Sequence, residues 1–279
     1  MILENSIKEA KKILKKSNIT SYELDAEILL SNILGVSKEF LLLNSNINIS
    51  NEIQKKYDVA INRRVKKEPI AYIIEKKEFW SQDFIVNKAT LIPRPETELL
   101  IYYVIDFFKN KKINILDIGT GTGCILLSLL KELTYSQGTG IDISAKAIKI
   151  ANLNASKFNL SNRSKFKIFN INEFNFGKYD LIVSNPPYIK SRDIKNLSED
   201  ITNYEPTVAL NGGLNGLDLV KKIIYKSNIL LKKNGLLAIE IGNRQYKEAS
   251  DLLRQFRFRE MTRVFDYGHN VRCIISTKV

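Results

Sequence analysis

The sequence predicts an α/β protein in which a mostly parallel sheet carries helices on both faces, ends in an antiparallel hairpin and is preceded by a small helical bundle. Three observations predict this. From Ile113 onward, short apolar runs alternate with stretches of helical period, the pattern of a parallel sheet buried on both faces. The last two runs, FRFREMTRVF and VRCIISTKV, are joined only by DYGHN, too short for a helical crossover, which leaves an antiparallel pair at the sheet edge. Residues 1–67, in contrast, carry apolar side chains at helical spacing.

Ile7, Ala10, Ile13 and Leu14 make one stripe of a first helix. Thr20, with Glu23 three residues on, matches a capping box opening a second helix, and Gly35 is its expected stop. A third segment, SNEIQKKYDVAINRRVKKEP, runs until Pro69 closes it. Together these read as a bundle of about three to five helices with lysines on the outer faces. Phe79, Trp80, Phe84, Ile85 and Val86 then fall in short alternating runs, which predict a hairpin leading into a linker; ELLIYYVIDFFK returns to helical period. Strands are expected at INILDIG, GTGIDI, KFKIFN, YDLIVSN and GLLAIEIG. The expected boundaries are 1–68 for the bundle, 69–95 for the hairpin and linker, and 96–279 for the sheet domain.

Composition narrows the class. With 44% hydrophobic and 26% charged residues, the chain has the balance of an ordinary soluble globular protein. No apolar run reaches the roughly 18 residues of a membrane span. The N-terminal MILENSIKEAKKILKKSN interleaves lysines with apolar residues and lacks the apolar core of a secretory signal. Two distant cysteines, Cys124 and Cys273, and the single His269 are too few for a Cys/His metal cluster and fit a reducing, cytoplasmic location. A net charge of +13 is the electrostatic footprint of a nucleic-acid-facing protein. A bias toward Lys, Asn and Ile imposed by skewed base composition accounts for it equally well. Nothing reads as a coiled coil or an exposed apolar strip, so a monomer is expected.

The stretch ILDIGTGTGCILLSLL is a strand, a glycine-rich turn and a helix. Gly119, Gly121 and Gly123, with Thr120 and Thr122 between them, let the backbone approach a ligand closely at a helix N-terminus. The dinucleotide fingerprint requires glycine at position 124, where Cys124 stands, and the Lys-Ser/Thr ending of a phosphate-binding loop is missing. Asp117, on the approach to the turn, would repel a pyrophosphate and favour an ammonium or sulfonium. Asp142 ends the next strand, where a carboxylate can accept both hydroxyls of a ribose. Asn170 ends the third strand and is expected near an adenine. A cofactor with an amino acid end, a ribose and no phosphates fits this set: S-adenosylmethionine, bound by a Rossmann-like sheet. The plainer reading is that Asp117 and Asp142 cap the following helices.

The fourth strand runs into Asn185-Pro186-Pro187-Tyr188. Neither proline carries an N–H, so the strand ends and the loop offers carbonyls and the Asn185 amide with few competing donors. Such a loop can accept both hydrogens of a planar –NH₂ group while Tyr188 supplies a face for stacking. Holding both N–H bonds aims the nitrogen lone pair at the methyl donor and stabilises the positive charge that grows on nitrogen. Adenine in nucleic acid and glutamine in protein both satisfy this logic, and the loop by itself does not choose between them.

TLIPRPETE, ILDIGTGTGCI, GIDIS, YDLIVSNPPYI, YEPTVALNGG with GLDL, and GLLAIEIG follow one another as in bacterial HemK-type release factor glutamine methyltransferases, which the chain resembles over almost its whole length. IPRPETE upstream of NPPY is the discriminating element. The resemblance implies methyl transfer from S-adenosylmethionine to the side-chain nitrogen (N5) of the glutamine in the Gly-Gly-Gln motif of peptide chain release factors. It implies that Gly119 to Gly123 and Asp142 bind the cofactor, with Asn170 and Asn185 beside it. Asn185, Pro186, Pro187 and Tyr188 would hold the glutamine amide, Arg94 and Glu96 would line the substrate side, and the N-terminal bundle would help dock the release factor. The chain departs from the family pattern at Glu75 and Ser81, where glycines are usual in the hairpin, and at Asn170, where an acid is common. The alternative is an adenine-N6 methyltransferase acting on RNA or DNA, which needs a target-recognition region to read or flip a base. A non-catalytic nucleotide binder, the third reading, would have no use for NPPY.

Overall fold

The computed structural model describes residues 1–279, and these divide into two units, Met1–Lys76 with Ser198–Tyr204, and Lys77–Leu197 with Glu205–Val279. In the first unit, α1 (Leu3–Lys16), α2 (Tyr22–Leu34), α3 (Lys38–Leu43), α4 (Asn51–Val65) and a single turn, α5 (Ile70–Ile73), close on Leu3, Leu14, Leu29, Leu30 and Tyr57. Ile13 of the expected stripe is exposed, whereas Ile7, Ala10 and Leu14 are buried. The expected capping box is not formed. The N-cap of α2 is Ser21, and its hydroxyl donates to Asp25 at 2.8 Å instead of capping the helix. Gly35 does end α2, in the left-handed region at φ 67°. Pro69 closes α4 only to open α5, because its fixed φ suits the entry to a helix.

The second unit begins in the hairpin of β1 (Lys76–Phe79) and β2 (Gln82–Ile85). Its turn residues Trp80 and Ser81 lie at φ 51° and 53°, and Glu75 ahead of β1 lies at 55°. The hairpin therefore keeps a backbone suited to glycine without having glycines there, at a cost of about 1 kcal/mol or more per residue. Phe79 and Phe84 pack edge to face beneath it.

A 3₁₀ turn at Pro95–Thr97 leads into α6 (Glu98–Phe108), and then β3 (Asn114–Ile118), α7 (Cys124–Glu132), β4 (Gln137–Asp142), α8 (Ala145–Lys157), β5 (Ser164–Ile168) and β6 (Tyr179–Ser184) follow. The short α9 (Glu199–Thr202) belongs to the first unit, where Tyr204 donates to the Lys66 carbonyl at 2.7 Å. The chain ends with α10 (Asp218–Leu230), β7 (Leu231–Glu240), α11 (Tyr246–Gln255), β8 (Phe258–Phe265) and β9 (Val271–Lys278).

The sheet has the order β5-β4-β3-β6-β7-β9-β8. Strands β3 to β7 are parallel and β9 is antiparallel to both of its neighbours, so the C-terminal hairpin is as expected, with β8 at the edge. Successive residues feed opposite cores. Ile115, Leu181, Val183 and Ala238 join the α6–α7 side, while Leu116, Ile182, Leu237 and Ile239 join the α10–α11 side. Both faces are buried, which is why these strands read as unbroken apolar runs. The two edges are polar: β5 exposes Lys165 and Lys167, and β8 exposes Arg259 and Arg263. From β3 the chain winds outward through β4 and β5, then returns to β6 on the other side. The crevice at the carboxyl ends of β3 and β6 is thus the switch point where open α/β sheets hold ligands.

Candidate active site

A cavity of about 280 Å³ lies at that switch point, within the second unit. Its floor is the glycine turn between β3 and α7. Gly123 is the N-cap of α7 at φ 80°, and a Cβ there would stand 3.1 Å from both Leu127 and Phe166, so glycine is required on two counts. The turn's amides are engaged internally. Gly119 and Thr120 donate to the Ile141 carbonyl at 2.9 and 3.0 Å, Gly121 to Asp142 at 3.0 Å, and Gly123 to the Thr120 carbonyl at 2.8 Å. A loop whose N–H groups are used in this way is no cradle for phosphate.

Asp142 lines the cavity and is held by two backbone amides, with Oδ2 accepting from Gly121 and Oδ1 from Ser144 at 2.9 Å. Ser144 is the N-cap of α8, so Asp142 does not cap that helix and each of its oxygens keeps a lone pair for a ligand. Burial raises its carboxyl above the ordinary value, opposed by those amide hydrogen bonds. Asn170 lines the far wall, exposed, its side chain accepting from the Asn172 amide at 3.0 Å.

Asp117 departs from expectation. Its side chain is wholly buried beneath the turn, where Oδ2 accepts from Thr120 Oγ1 at 2.6 Å and Oδ1 accepts from nothing. Burial pushes this carboxyl up to about 7. It does not line the cavity, so no direct pairing with a ligand cation is available to it. Cys124, at the wall, has a thiol pushed up by burial to about 12, which excludes a thiolate nucleophile at neutral pH.

Ser184 Oγ donates to the Ile118 carbonyl at 2.7 Å, locking the ends of β6 and β3 together just before the NPPY loop. Asn185, Pro186 and Pro187 all line the cavity. Asn185 Nδ2 donates to Thr97 Oγ1 at 3.0 Å, which leaves its oxygen as the other end of the amide. Arg94 also reaches the cavity wall and pairs with the buried Glu205 at 2.5 Å; Glu205 in turn accepts from the Ile92 amide at 3.2 Å. Glu96 is exposed on the 3₁₀ turn and stays away from the cavity.

Tyr188 also sits differently from the placing expected of it. Its ring is turned out of the cavity, its hydroxyl donates to Glu240 at 3.3 Å, and Gln245 Nε2 fastens its carbonyl at 3.0 Å. Burial holds the phenol well above its ordinary value, so it remains a donor. The loop therefore offers acceptors at the cavity without the stacking face expected of its tyrosine. Two residues the sequence reading did not single out complete this corner, Thr97 and Glu240, both buried and joined at 2.7 Å. Thr97 sits inside PRPETE, and its place within that motif was the one hint the sequence held. Glu240 is an acid ending an apolar strand, as Asp142 is.

Comparison with known proteins agrees with this geometry. The chain is 36% identical to the release factor glutamine methyltransferase of Clostridium acetobutylicum, with 100% of this chain and 99% of the relative covered. The chain belongs to the release factor glutamine methyltransferase family. Another member, from Buchnera aphidicola subsp. Acyrthosiphon pisum, is 38% identical over 96% of each chain. Family models match at residues 5–74, as PrmC N-terminal domain, and at residues 109–274, as Methyltransferase domain. Among solved structures, the catalytic domain of hMettl16 in complex with an RNA hairpin superposes with a TM-score of 0.59 at 18% identity, covering 84% of each chain. A methyltransferase from Pyrococcus furiosus gives 0.54 at 14% identity, covering 82% of this chain and 99% of that one. At those identities the likeness is one of fold, a Rossmann-like methyltransferase sheet shared by the release factor glutamine methyltransferases and enzymes far from them.

Proposed function

We propose that this chain methylates N5 of the glutamine in the Gly-Gly-Gln motif of peptide chain release factors, using S-adenosylmethionine. One observation carries the reading: a single cavity joins a ribose-suited carboxylate, Asp142, to the acceptor-rich Asn185–Pro187 loop. The cavity suits this cofactor, because the amides of Gly119, Thr120, Gly121 and Gly123 are already engaged within the protein rather than free for phosphates, and the wall offers an aspartate. Gly119 to Gly123, Asp142 and Asn170 would hold it. When bound, it supplies an electrophilic methyl on a sulfonium.

The chain's own residues do the remainder. Asn185 Oδ1 and the Pro186 carbonyl accept the two N–H bonds of the glutamine amide, so its lone pair points out of the amide plane toward the methyl. The same acceptors stabilise the charge that builds on nitrogen as its conjugation is lost. The methylated nitrogen then sheds one proton to water, a strong enough acid at that moment to need no dedicated base. Arg94, fixed by Glu205, borders the substrate side. The first unit is the docking element for the release factor, and α3 exposes Leu42 and Leu43 as apolar contacts for it. The enzyme works as a cytoplasmic monomer and requires no nucleic acid. Base methylation is disfavoured by the placing of Tyr188: a flipped adenine needs a stacking face, and the loop's only aromatic ring does not line the cavity.

The test is incubation with labelled S-adenosylmethionine and, separately, a release factor or bulk RNA and DNA. Label is expected on the release factor and is lost when the Gly-Gly-Gln glutamine is replaced; label on nucleic acid alone would sink the reading. Asn185→Ala is expected to retain cofactor binding by calorimetry while turnover falls about a hundredfold or more.

A further inference from the structure

We infer that Thr97, Glu240 and Tyr188 are positioning residues that determine which end of the Asn185 amide faces the substrate. The inference rests on the reading of Asn185 as acceptor for the glutamine amide. Asparagine is nearly symmetric in shape, so packing alone does not choose between its oxygen and its nitrogen. A flipped Asn185 would set an NH₂ against the NH₂ of the substrate, donor against donor.

The choice is made by a chain of hydrogen bonds that ends on a buried carboxylate. Asn185 Nδ2 donates to Thr97 Oγ1 at 3.0 Å, Thr97 Oγ1 donates to Glu240 Oε2 at 2.7 Å, and Tyr188 donates to Glu240 Oε1 at 3.3 Å. Thr97 and Glu240 are 2% and 1% exposed, so water does not interrupt the series. A hydroxyl has one hydrogen. An ionised Glu240 has none to give, so it takes the hydrogen of Thr97, and the Thr97 oxygen can then only accept. The Asn185 nitrogen is drawn inward and its oxygen is left for the target. If Glu240 gains a proton, the polarity can reverse: the acid donates to Thr97, Thr97 donates to Asn185, and the amide turns over.

The groups facing Glu240 are Arg272 and Cys273 on β9, Tyr188 after β6, and Thr97 and Glu96 on the 3₁₀ turn before α6. Desolvation outweighs the attraction of Arg272 and sets the change of polarity near pH 7. Glutamine amides do not titrate in that range, and loss of an acid limb there in Glu240→Gln is what assigns it to Glu240.

The experiment compares Thr97→Val, Thr97→Ser, Glu240→Gln and Asn185→Ala with the unaltered chain, on release factor and at saturating cofactor. Thr97→Val and Glu240→Gln are expected to lower kcat about tenfold to a hundredfold through a misplaced acceptor, with cofactor affinity unchanged by calorimetry and Thr97→Ser largely restored. The unaltered chain is expected to show the acid limb, and Glu240→Gln to lose it. If Asn185→Ala collapses while Thr97→Val and Glu240→Gln turn over normally, the positioning role is wrong and the reading of Asn185 stands. If Asn185→Ala also turns over normally, both fall. Equal losses in Thr97→Ser and Thr97→Val would overturn the inference by making packing, rather than the hydroxyl, responsible. The unaltered chain gives a readout independent of any variant: the Asn185 side-chain NH₂ should be protected from hydrogen exchange above pH 7 and lose protection below it. Free exchange at every pH overturns the inference.

Discussion

Asp117→Asn should flatten the pH dependence of stability in the catalytic unit. Burial lifts the Asp117 carboxyl from its ordinary value of 3.8 to about 7 in the folded chain. Below 3.8, folded and unfolded chains both hold the proton and nothing differs. Between 3.8 and 7 the unfolded chain releases it and the folded chain keeps it, so rising pH favours unfolding. Above 7 both are ionised and the penalty levels off at about 4 kcal/mol, using 1.36 kcal/mol for each pH unit of difference. That is a large share of the 5–15 kcal/mol that typically holds a protein folded. Glu240, lifted from 4.5 to about 7, adds a slope of the same sign, so the variant keeps that part and loses the rest. Asparagine can still accept from Thr120, but its nitrogen takes the place of the unpartnered Oδ1, a roughly 1–3 kcal/mol offset that does not vary with pH. The observable is therefore the slope. Trp80 is the only tryptophan and lies in the second unit, its indole donating to Glu132 at 2.8 Å, so its fluorescence follows that unit alone during urea unfolding. Between pH 5 and pH 8 the variant should gain about 3 kcal/mol on the unaltered chain. Parallel stability curves across that range would refute a buried, protonated Asp117.

Three further outcomes are expected. Ser81→Gly should raise the unfolding free energy of the second unit, read by urea titration, by up to about 1 kcal/mol, since the φ of 53° favours glycine and the added chain entropy offsets only part of the gain. Asn154→Ala should cost about 3–5 kcal/mol by the same measurement, because Asn154 alone serves the Ile85 N–H and C=O and the Thr122 carbonyl, at 2.7, 3.0 and 2.9 Å. Asp142→Asn should weaken S-adenosylmethionine binding about tenfold to a hundredfold in calorimetry, as one of its two accepting oxygens becomes a donor facing a backbone N–H.

The sheet was legible because its strands are buried on both faces. YDLIVS and GLLAIEIG are apolar for a reason that local sequence records, and the glycine turn announces itself by spacing. The single turn at Ile70–Ile73 escaped because four residues after a proline are too few to show a period. Loop direction escaped for a different reason. Whether Tyr188 faces the cavity or Glu240 depends on a partner 52 residues away. The Thr97–Glu240 bond spans 143 residues, and neither residue looks unusual beside its own neighbours. Glu75, Trp80 and Ser81 show the reverse limit: they hold left-handed backbone that their side chains argue against, because the hairpin and Phe84 beneath it dominate.

The polar edges of the sheet bear on what the protein can associate with. A second copy adding at β5 would set Lys165 and Lys167 against their own equivalents, and one adding at β8 would do the same with Arg259 and Arg263. Like charges opposed across a strand pair are destabilising, and the irregular register of β8 bends that edge further from a flat template. Both features work against the addition of an eighth strand. An extended substrate segment thus finds the sheet edges unfavourable for pairing, the commonest way for extended chain to bind a sheet, and the loops at the carboxyl ends of the strands are where the cavity opens to it.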